Sequence, residues 1–214
     1  MTPMKDKLIL VGGGGHCRAV IDIAESLGYE ILGILERPQE SATSVMGYPI
    51  IGTDDDISRH ASEAKFVVTV GHLTDSGVRQ RLYEMIKSAG GQLATLVAPT
   101  AHVSNHAVLE EGTVVQNFAN INTMAHVGKC CIVNSCCNIE HDAVIRDFSH
   151  VSTGAMVNGG CNIGAGVMIG SGAVIVNGVS IVDGCVIGAG AVVANSIASK
   201  GVYVGVPAKL KRLL

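Results

Sequence analysis

The sequence predicts a chain in two parts: a small α/β unit over residues 1–98, then a parallel β-helix over residues 99–214. Three observations carry that expectation. A strand, a glycine loop and an amphipathic helix open the chain. An aliphatic residue then recurs every six positions from Val103 to Val193. The composition combines 27 glycines with three Phe, four Tyr and no Trp among 214 residues. A core without aromatic bulk must be assembled from Val, Ile, Ala and Cys. Small aliphatics with many glycines suit a tightly turning backbone repeated many times.

Composition also excludes several classes. Hydrophobic residues make up 48% and charged residues 15%, which excludes a disordered chain. Fifteen Lys and Arg stand against 18 Asp and Glu, for a formal charge of −3, so a nucleic-acid partner is not expected. No stretch approaches the roughly 20 apolar residues of a membrane span. Residues 1–7 are polar, and Leu8 to Val11 is too short for a signal-peptide core, so no leader is expected. The seven cysteines form no CxxC, and Cys130/Cys131 and Cys136/Cys137 are adjacent pairs ill suited to disulfides. A reducing, cytoplasmic setting follows, with Cys used as a small hydrophobe.

In the first part, Leu8–Val11 reads as a buried strand, Gly12 to His16 as a loop, and residues 17–27 as a helix with Ala19, Val20, Ile23, Ala24 and Leu27 on one face. Ile31–Leu35 and Phe66–Val70 read as further strands and Thr74–Lys87 as a second helix. Leu93–Val97 leads into the repeat. Strand–helix alternation implies a parallel, Rossmann-like sheet. A glycine loop between strand and helix offers backbone N–H groups to an anion. Gly12 and Gly14 fit the dinucleotide fingerprint, but Cys17 stands at its third glycine. The loop therefore suits a nucleotide or sugar phosphate, or simply a close strand–helix turn.

In the second part the register runs Val103, Leu109, Val115, Ile121 and onward to Val193, sixteen aliphatic positions in all. Two residues before each lies a small residue, from Ala101 and Ala107 to Cys185 and Ala191, and four of the seven cysteines fall there. A period of six is neither helical nor a plain strand alternation. It describes a short strand and a turn, with one large and one small inward residue lining a triangular prism. Three hexads close a coil, and coils stack at roughly 4.8 Å by backbone hydrogen bonds. The residues just after the core position, Asn122, Gly128, Asn134, Asn158, Gly164, Gly170 and Gly188, are expected to supply the turns of unusual φ.

This pattern resembles the hexapeptide-repeat acyltransferases, whose fold is the left-handed parallel β-helix. VGGGGHCRAV at 11–20, joined to the run IEHDAVIRDFSHVSTGAMVNGG at 139–160, resembles a narrower family. It comprises bacterial sialic acid O-acetyltransferases and bacillosamine-pathway N-acetyltransferases. The resemblance implies that the first domain holds a sugar acceptor, often nucleotide-linked. It implies that the β-helix binds acetyl-CoA in a cleft between subunits of a homotrimer.

Acetyl transfer needs a base for the acceptor and a donor for the developing oxyanion. Of eight histidines, His141 stands out, flanked by Glu140 and Asp142. It matches the family's catalytic His. The acid that follows is Asp142 where Glu is usual, with Glu140 in reserve. His102, His126 and His150 directly precede core aliphatics and His106 follows one by three, all positions that read as solvated coil surface. His60 has no distinctive context. The resemblance nevertheless gives His150 a contact to acetyl-CoA, Gly159 the backbone donor near the thioester, and Ser171 and Ala189 further CoA contacts on successive coils. It places Gly13, Gly14, Gly15, His16 and Gly71 around the acceptor. Glu36, followed by Arg37, stands where the family often has an acidic pair. Lys209, Lys211 and Arg212 either meet CoA phosphates or form a solvated basic end.

The resulting expectation is acetyl transfer from acetyl-CoA to the amino group of a nucleotide-linked amino sugar in surface glycan biosynthesis. O-acetylation of a sialic-acid-like sugar is the alternative, and the intact acceptor loop favours the amino sugar. A non-catalytic β-helix scaffold and a β-helix enzyme with a metal between subunits are different classes. The His141 cluster speaks against the first, and no metal is expected.

Overall fold

The structure, a computed structural model, describes residues 6–37 and 43–214. The polar opening at 1–5 lies outside the described residues. The chain divides into two compact units. One comprises residues up to Gly71 together with Gly77–Pro99, and the other comprises His72–Ser76 together with Thr100–Leu214.

The first unit is built on β1 (Lys7–Val11), α1 (Gly15–Ser26), β2 (Glu30–Leu35), a short hairpin of β3 (Ser44–Val45) and β4 (Tyr48–Gly52), α2 (Ile57–His60), β5 (Lys65–Val68), α3 (Gly77–Ser88) and β6 (Gln92–Leu93). The sheet order is β3-β4-β2-β1-β5-β6, parallel except for the hairpin. Leu8, Ile9, Leu10 and Val11 are fully buried, as are Phe66, Val67 and Val68 beside them. This is the near-continuous apolar run of a strand covered on both faces. β1 has β2 on one side and β5 on the other, so the strand order reverses there. In open α/β sheets the crevice at such a reversal, beyond the carboxyl ends of the strands, is where ligands bind.

Three differences from the sequence reading appear here. The first helix begins at Gly15, inside the expected loop, and ends at Ser26. The second begins at Gly77, because Thr74 to Ser76 belong with the other unit. The hairpin at 44–52, with Met46 and Gly47 at its turn in positive φ, had no signal strong enough to read.

The second unit is the expected prism. Asn120–Ile121 pairs in parallel with Asn138–Ile139, and that pair with Met156–Val157, each step advancing by eighteen residues. The other two faces repeat the same step, as in Val133 to Val151 and Val127 to Ile145. From Val115 to Val193 every large inward residue is at most 2% exposed, and the small residues from Thr113 to Ala191 are buried with them. All seven cysteines are free thiols, and Cys136 alone is exposed. Burial pushes the Cys137 thiol up to about 12 and Cys17, in the other unit, up to about 11.

The turns correct the sequence reading. Positive φ falls three residues after every core aliphatic from Leu109 to Ile187, at Gly112, then at Phe118, Met124, Cys130, Cys136, Asp142 and Phe148, and then at Gly154, Gly160, Gly166, Gly172, Gly178, Gly184 and Gly190. The residues directly after the core position serve another purpose. A Cβ on Gly128 would lie 2.3 Å from Asp147 Oδ1, and one on Gly170 would lie 2.5 Å from the Ala189 nitrogen. These glycines let the next coil approach. Asn122 and Asn134 instead accept the N–H of the following residue on Oδ1, at 2.7 and 2.8 Å.

Candidate active site

His141 stands on a corner of the prism, two residues beyond buried Ile139. Its Nδ1 lies 2.8 Å from Asp142 Oδ2. An ionised carboxylate only accepts, so Nδ1 carries the hydrogen and Nε2 is left as the basic nitrogen. Both side chains are more than half exposed. Asp142 reaches the ring because its backbone takes φ +59, which turns the side chain back over its neighbour.

Of the two flanking acids, only Asp142 meets the ring. The Glu140 carboxylate is held between two asparagines: Asn138 Nδ2 donates to Oε1 at 2.9 Å and Asn122 Nδ2 to Oε2 at 2.8 Å. Those hydrogen bonds, Asn138 first, hold its carboxyl below the usual carboxylate range. Asn120 continues the ladder onto Asn138 at 2.7 Å.

One coil further on, Gly159 lies directly against the imidazole. A Cβ there would sit 2.7 Å from both His141 Cε1 and Nε2, so no larger residue fits without moving the ring. Gly159 is buried, and its carbonyl accepts from the Gly178 N–H at 2.9 Å. Among the described residues its own N–H finds no acceptor. An N–H left without a protein acceptor beside the ring is free to donate to an oxygen brought there by a ligand.

His150 is not the solvated surface residue its register suggested, being 8% exposed. Its Nδ1 lies 3.1 Å from the His72 carbonyl oxygen and its Nε2 lies 3.3 Å from Asn134 Nδ2. The His72 ring stands edge-on to it at 5.6 Å between centroids. The covering segment, His72–Ser76, lies far away in sequence, so no local signal could have revealed the burial. His126 pairs with Glu110 at 2.7 Å, and His60 is bound to Glu63, both at the surface.

Ser171 and Ala189 are exposed and stack on successive coils, with Ser171 Oγ 3.0 Å from Ser152 Oγ. They follow Ile169 and Ile187, however, and so occupy a different edge of the prism from His141 and Gly159. Lys209 is exposed in the strand Lys209–Leu213, which pairs antiparallel with Gly201–Val204. Among the described residues no group of three or more His, Cys, Asp or Glu is placed to hold a metal ion. No helix among them is long and apolar enough to cross a membrane.

In the α/β unit a cavity of about 490 Å³ opens at the carboxyl ends of β1, β2 and β5. Gly14, Gly15, His16, Glu36 and Gly71 line it. Gly13 lies behind them, with its N–H donating to Glu36 Oε2, while Glu36 Oε1 accepts the Arg37 N–H at 2.8 Å. Thr69 Oγ1 donates to the Gly12 carbonyl at 2.5 Å and ties the two loops together. Three lining residues that sequence reasoning passed over, Asp54, Arg81 and Val78, come from the turn before α2 and from α3. They lie 18 to 45 residues beyond Glu36 and carry no motif.

The family model described as the PglD N-terminal domain matches residues 7–86. The acetyltransferase domain of PglB from Neisseria gonorrhoeae FA1090, solved with acetyl coenzyme A, is 31% identical over 97% of this chain and 100% of that one, with a TM-score of 0.89. A single-residue variant of perosamine N-acetyltransferase from Caulobacter crescentus, solved with CoA and GDP-perosamine, is 28% identical over 96% of each chain, with a TM-score of 0.90. An uncharacterized protein of Acanthamoeba polyphaga mimivirus is 30% identical over 121 residues, and that match spans 23% of its length.

Proposed function

We propose a specific reaction for this chain, which belongs to the hexapeptide-repeat sugar acetyltransferases with a left-handed β-helix: transfer of acetyl from acetyl-CoA to the amino group of a nucleotide-linked amino sugar. The observation that carries it is the packing of the His141 ring, held by Asp142, against Gly159, a buried residue whose N–H has no acceptor among the described residues. Nε2 of His141 accepts a proton from the acceptor amine as its nitrogen attacks the thioester carbonyl. The Gly159 N–H donates to the carbonyl oxygen as negative charge grows there. The C–S bond then breaks, and the CoA sulfur leaves with the proton that His141 has held. Asp142 keeps the imidazole in the required tautomer and stabilises its charged form.

The cavity at Gly14, Gly15, His16, Glu36 and Gly71 receives the acceptor, and the β-helix receives acetyl-CoA. On this reading residues 1–98 form the acceptor domain and 99–214 the acetyl-CoA domain. His150, Ser171, Ala189 and Lys209 are read as contacts along the CoA arm. Within one chain Ser171 and Ala189 stand on a different edge from His141, which favours a site completed by a neighbouring copy. A homotrimer fits that need. A cytoplasmic role in surface glycan biosynthesis is consistent with seven free thiols and a nucleotide-linked acceptor.

The test is acetyl-CoA turnover against nucleotide-linked amino sugars, free amino sugars and sialic acids. Amide formation on a nucleotide-linked amino sugar is expected. Turnover confined to a sialic-acid hydroxyl would replace the proposal with O-acetylation. In the unaltered enzyme Gly14 has open space before it, so Gly14→Leu should raise the acceptor KM and spare acetyl-CoA binding.

A further inference from the structure

The glycine loop alone does not account for the charges that line the acceptor cavity. Arg81 extends from α3, Arg37 from the end of β2, and Asp54 from the turn before α2. Arg81 Nη2 donates to Asp54 Oδ2 at 2.7 Å, and Arg37 Nε stands 3.9 Å from the same oxygen. One carboxylate thus serves two guanidinium groups and offsets the charge of one. The second carboxylate of the cavity, Glu36, is turned to backbone N–H groups of Gly13 and Arg37. Among the described residues it makes no ion pair with either arginine.

Exposure ranks the three partners. The Asp54 side chain is 15% exposed, Arg81 42% and Arg37 69%. Asp54 is therefore the fixed member. It is seated by the turn around it, in which Thr53 and Asp56 cap each other's backbone N–H groups. Arg81 is positioned by that anchor and by a weak Nη1 contact to Met85 Sδ at 3.1 Å, and its remaining N–H donors are left for another partner. A surface ion pair with no further purpose needs one cation, and this cavity supplies two.

We propose that Arg81, positioned by Asp54, binds the diphosphate of the nucleotide-linked acceptor. This rests on the acceptor class proposed above. A guanidinium fork matches phosphate oxygens in pairs, and the adjoining N–H groups of Gly14 and Gly15 at the start of α1 add neutral donors. Glu36 is left to accept from hydroxyls, which a ribose supplies. A ligand that satisfies both ends carries an anion and neighbouring hydroxyls, as a ribonucleoside diphosphate does.

The experiment is calorimetric titration of the full chain with GDP and UDP and with guanosine and uridine, joined to steady-state kinetics. A lost charge-assisted contact of this kind is expected to weaken diphosphate binding about 10- to 100-fold in Arg81→Gln. Nucleoside binding, acetyl-CoA binding and kcat at saturating acceptor should stay as they were. Arg81→Lys should fall between, because an ammonium group holds Asp54 or the phosphate but not both in fork geometry. An Arg81→Gln protein that binds GDP and UDP unchanged overturns the role of Arg81 and leaves the proposed reaction standing. So does a variant that loses nucleoside and diphosphate alike with a lowered thermal midpoint, which is the mark of a structural residue. An unaltered enzyme that binds neither diphosphate and acetylates a free sugar overturns both.

Discussion

Two stretches of the β-helix make the same corner from different residues. From 118 to 148 the corner residues are Phe118, Met124, Cys130, Cys136, Asp142 and Phe148, with φ between +48° and +60°. From 154 to 190 they are seven glycines, with φ between +63° and +71°. The left-handed region costs a side-chain-bearing residue about 1–2 kcal/mol and glycine almost nothing. The coil geometry imposes the corner whichever residue occupies it. In the earlier stretch a side chain is therefore retained against a backbone cost, and at Asp142 its use is visible: it reaches the His141 ring. One coil on, the equivalent corner is Gly160, and beside it Gly159 must be bare so that the same ring can lie flat.

The widest break in this comparison is removal of the ring itself. His141→Ala should lower kcat by about 10²–10⁴-fold, the usual contribution of a general base. Acetyl-CoA binding and the thermal midpoint should change little, because the side chain is exposed and leaves no cavity. Retention of kcat at saturating substrates would move the proton transfer elsewhere. Gly159→Ala attacks the same contact from the glycine side. The added methyl meets a movable side chain, so stability should hold while the displaced ring costs up to about 10²-fold in kcat. A drop in stability without loss of rate would mean that the backbone, not the ring, absorbs the methyl.

The corners themselves can be exchanged. Gly172 has φ +66° and nothing within 4 Å of a new Cβ, so Gly172→Ala isolates the backbone cost. Urea unfolding should show a loss of about 1–2 kcal/mol. Met124, 63% exposed at φ +58°, is the converse case. Met124→Gly should hold stability or raise it by up to about 1 kcal/mol, because relief of strain is partly offset by the flexibility of glycine when unfolded. Equal and opposite changes at the two sites would show that the corner is set by register alone.

The smallest effect concerns the asparagine ladder. Glu140 has its carboxyl held low by Asn138 and Asn122. A depressed folded-state value contributes stability above the ordinary carboxylate range and loses it as pH falls through the depressed value. Asn138→Ala should therefore lower stability slightly near neutrality, with the difference from the unaltered protein shrinking as pH falls below the carboxylate range. Urea unfolding near neutrality and again in acid would show it, and an equal loss at both would count against the ladder.

The same comparison separates what was legible in the sequence from what was not. Core positions repeat every six residues, so periodicity alone placed Val103 through Val193 inside, and all are buried except Val103 and Leu109 in the first coil, which are half-buried. The positive-φ corners were misplaced by two residues, because glycine abundance after the core position reflects close coils, as at Gly128 and Gly170, rather than turning. In the first unit the strands and the glycine loop were visible as apolar runs and punctuation. The buried setting of His150 and the Asp54–Arg81 pair were not, since each depends on a partner dozens of residues away. Glu140 and Asp142 could not be ranked from adjacency. Only the left-handed backbone at 142 decides which carboxylate meets the ring.

The last strand of the prism, Lys209–Leu213, has a consequence of its own. A stack of identical coils ends in a row of open backbone groups, a template on which another prism could continue without limit. Here the row at Gly201–Val204 is covered by a strand running the opposite way, whose register cannot be copied by the next parallel coil. It also carries Lys209, Lys211 and Arg212 on the outermost edge, where like charges on two approaching molecules repel. The tail thus acts as a stopper against filament growth. A chain cut after Ala208 should lengthen into fibrils as its concentration rises.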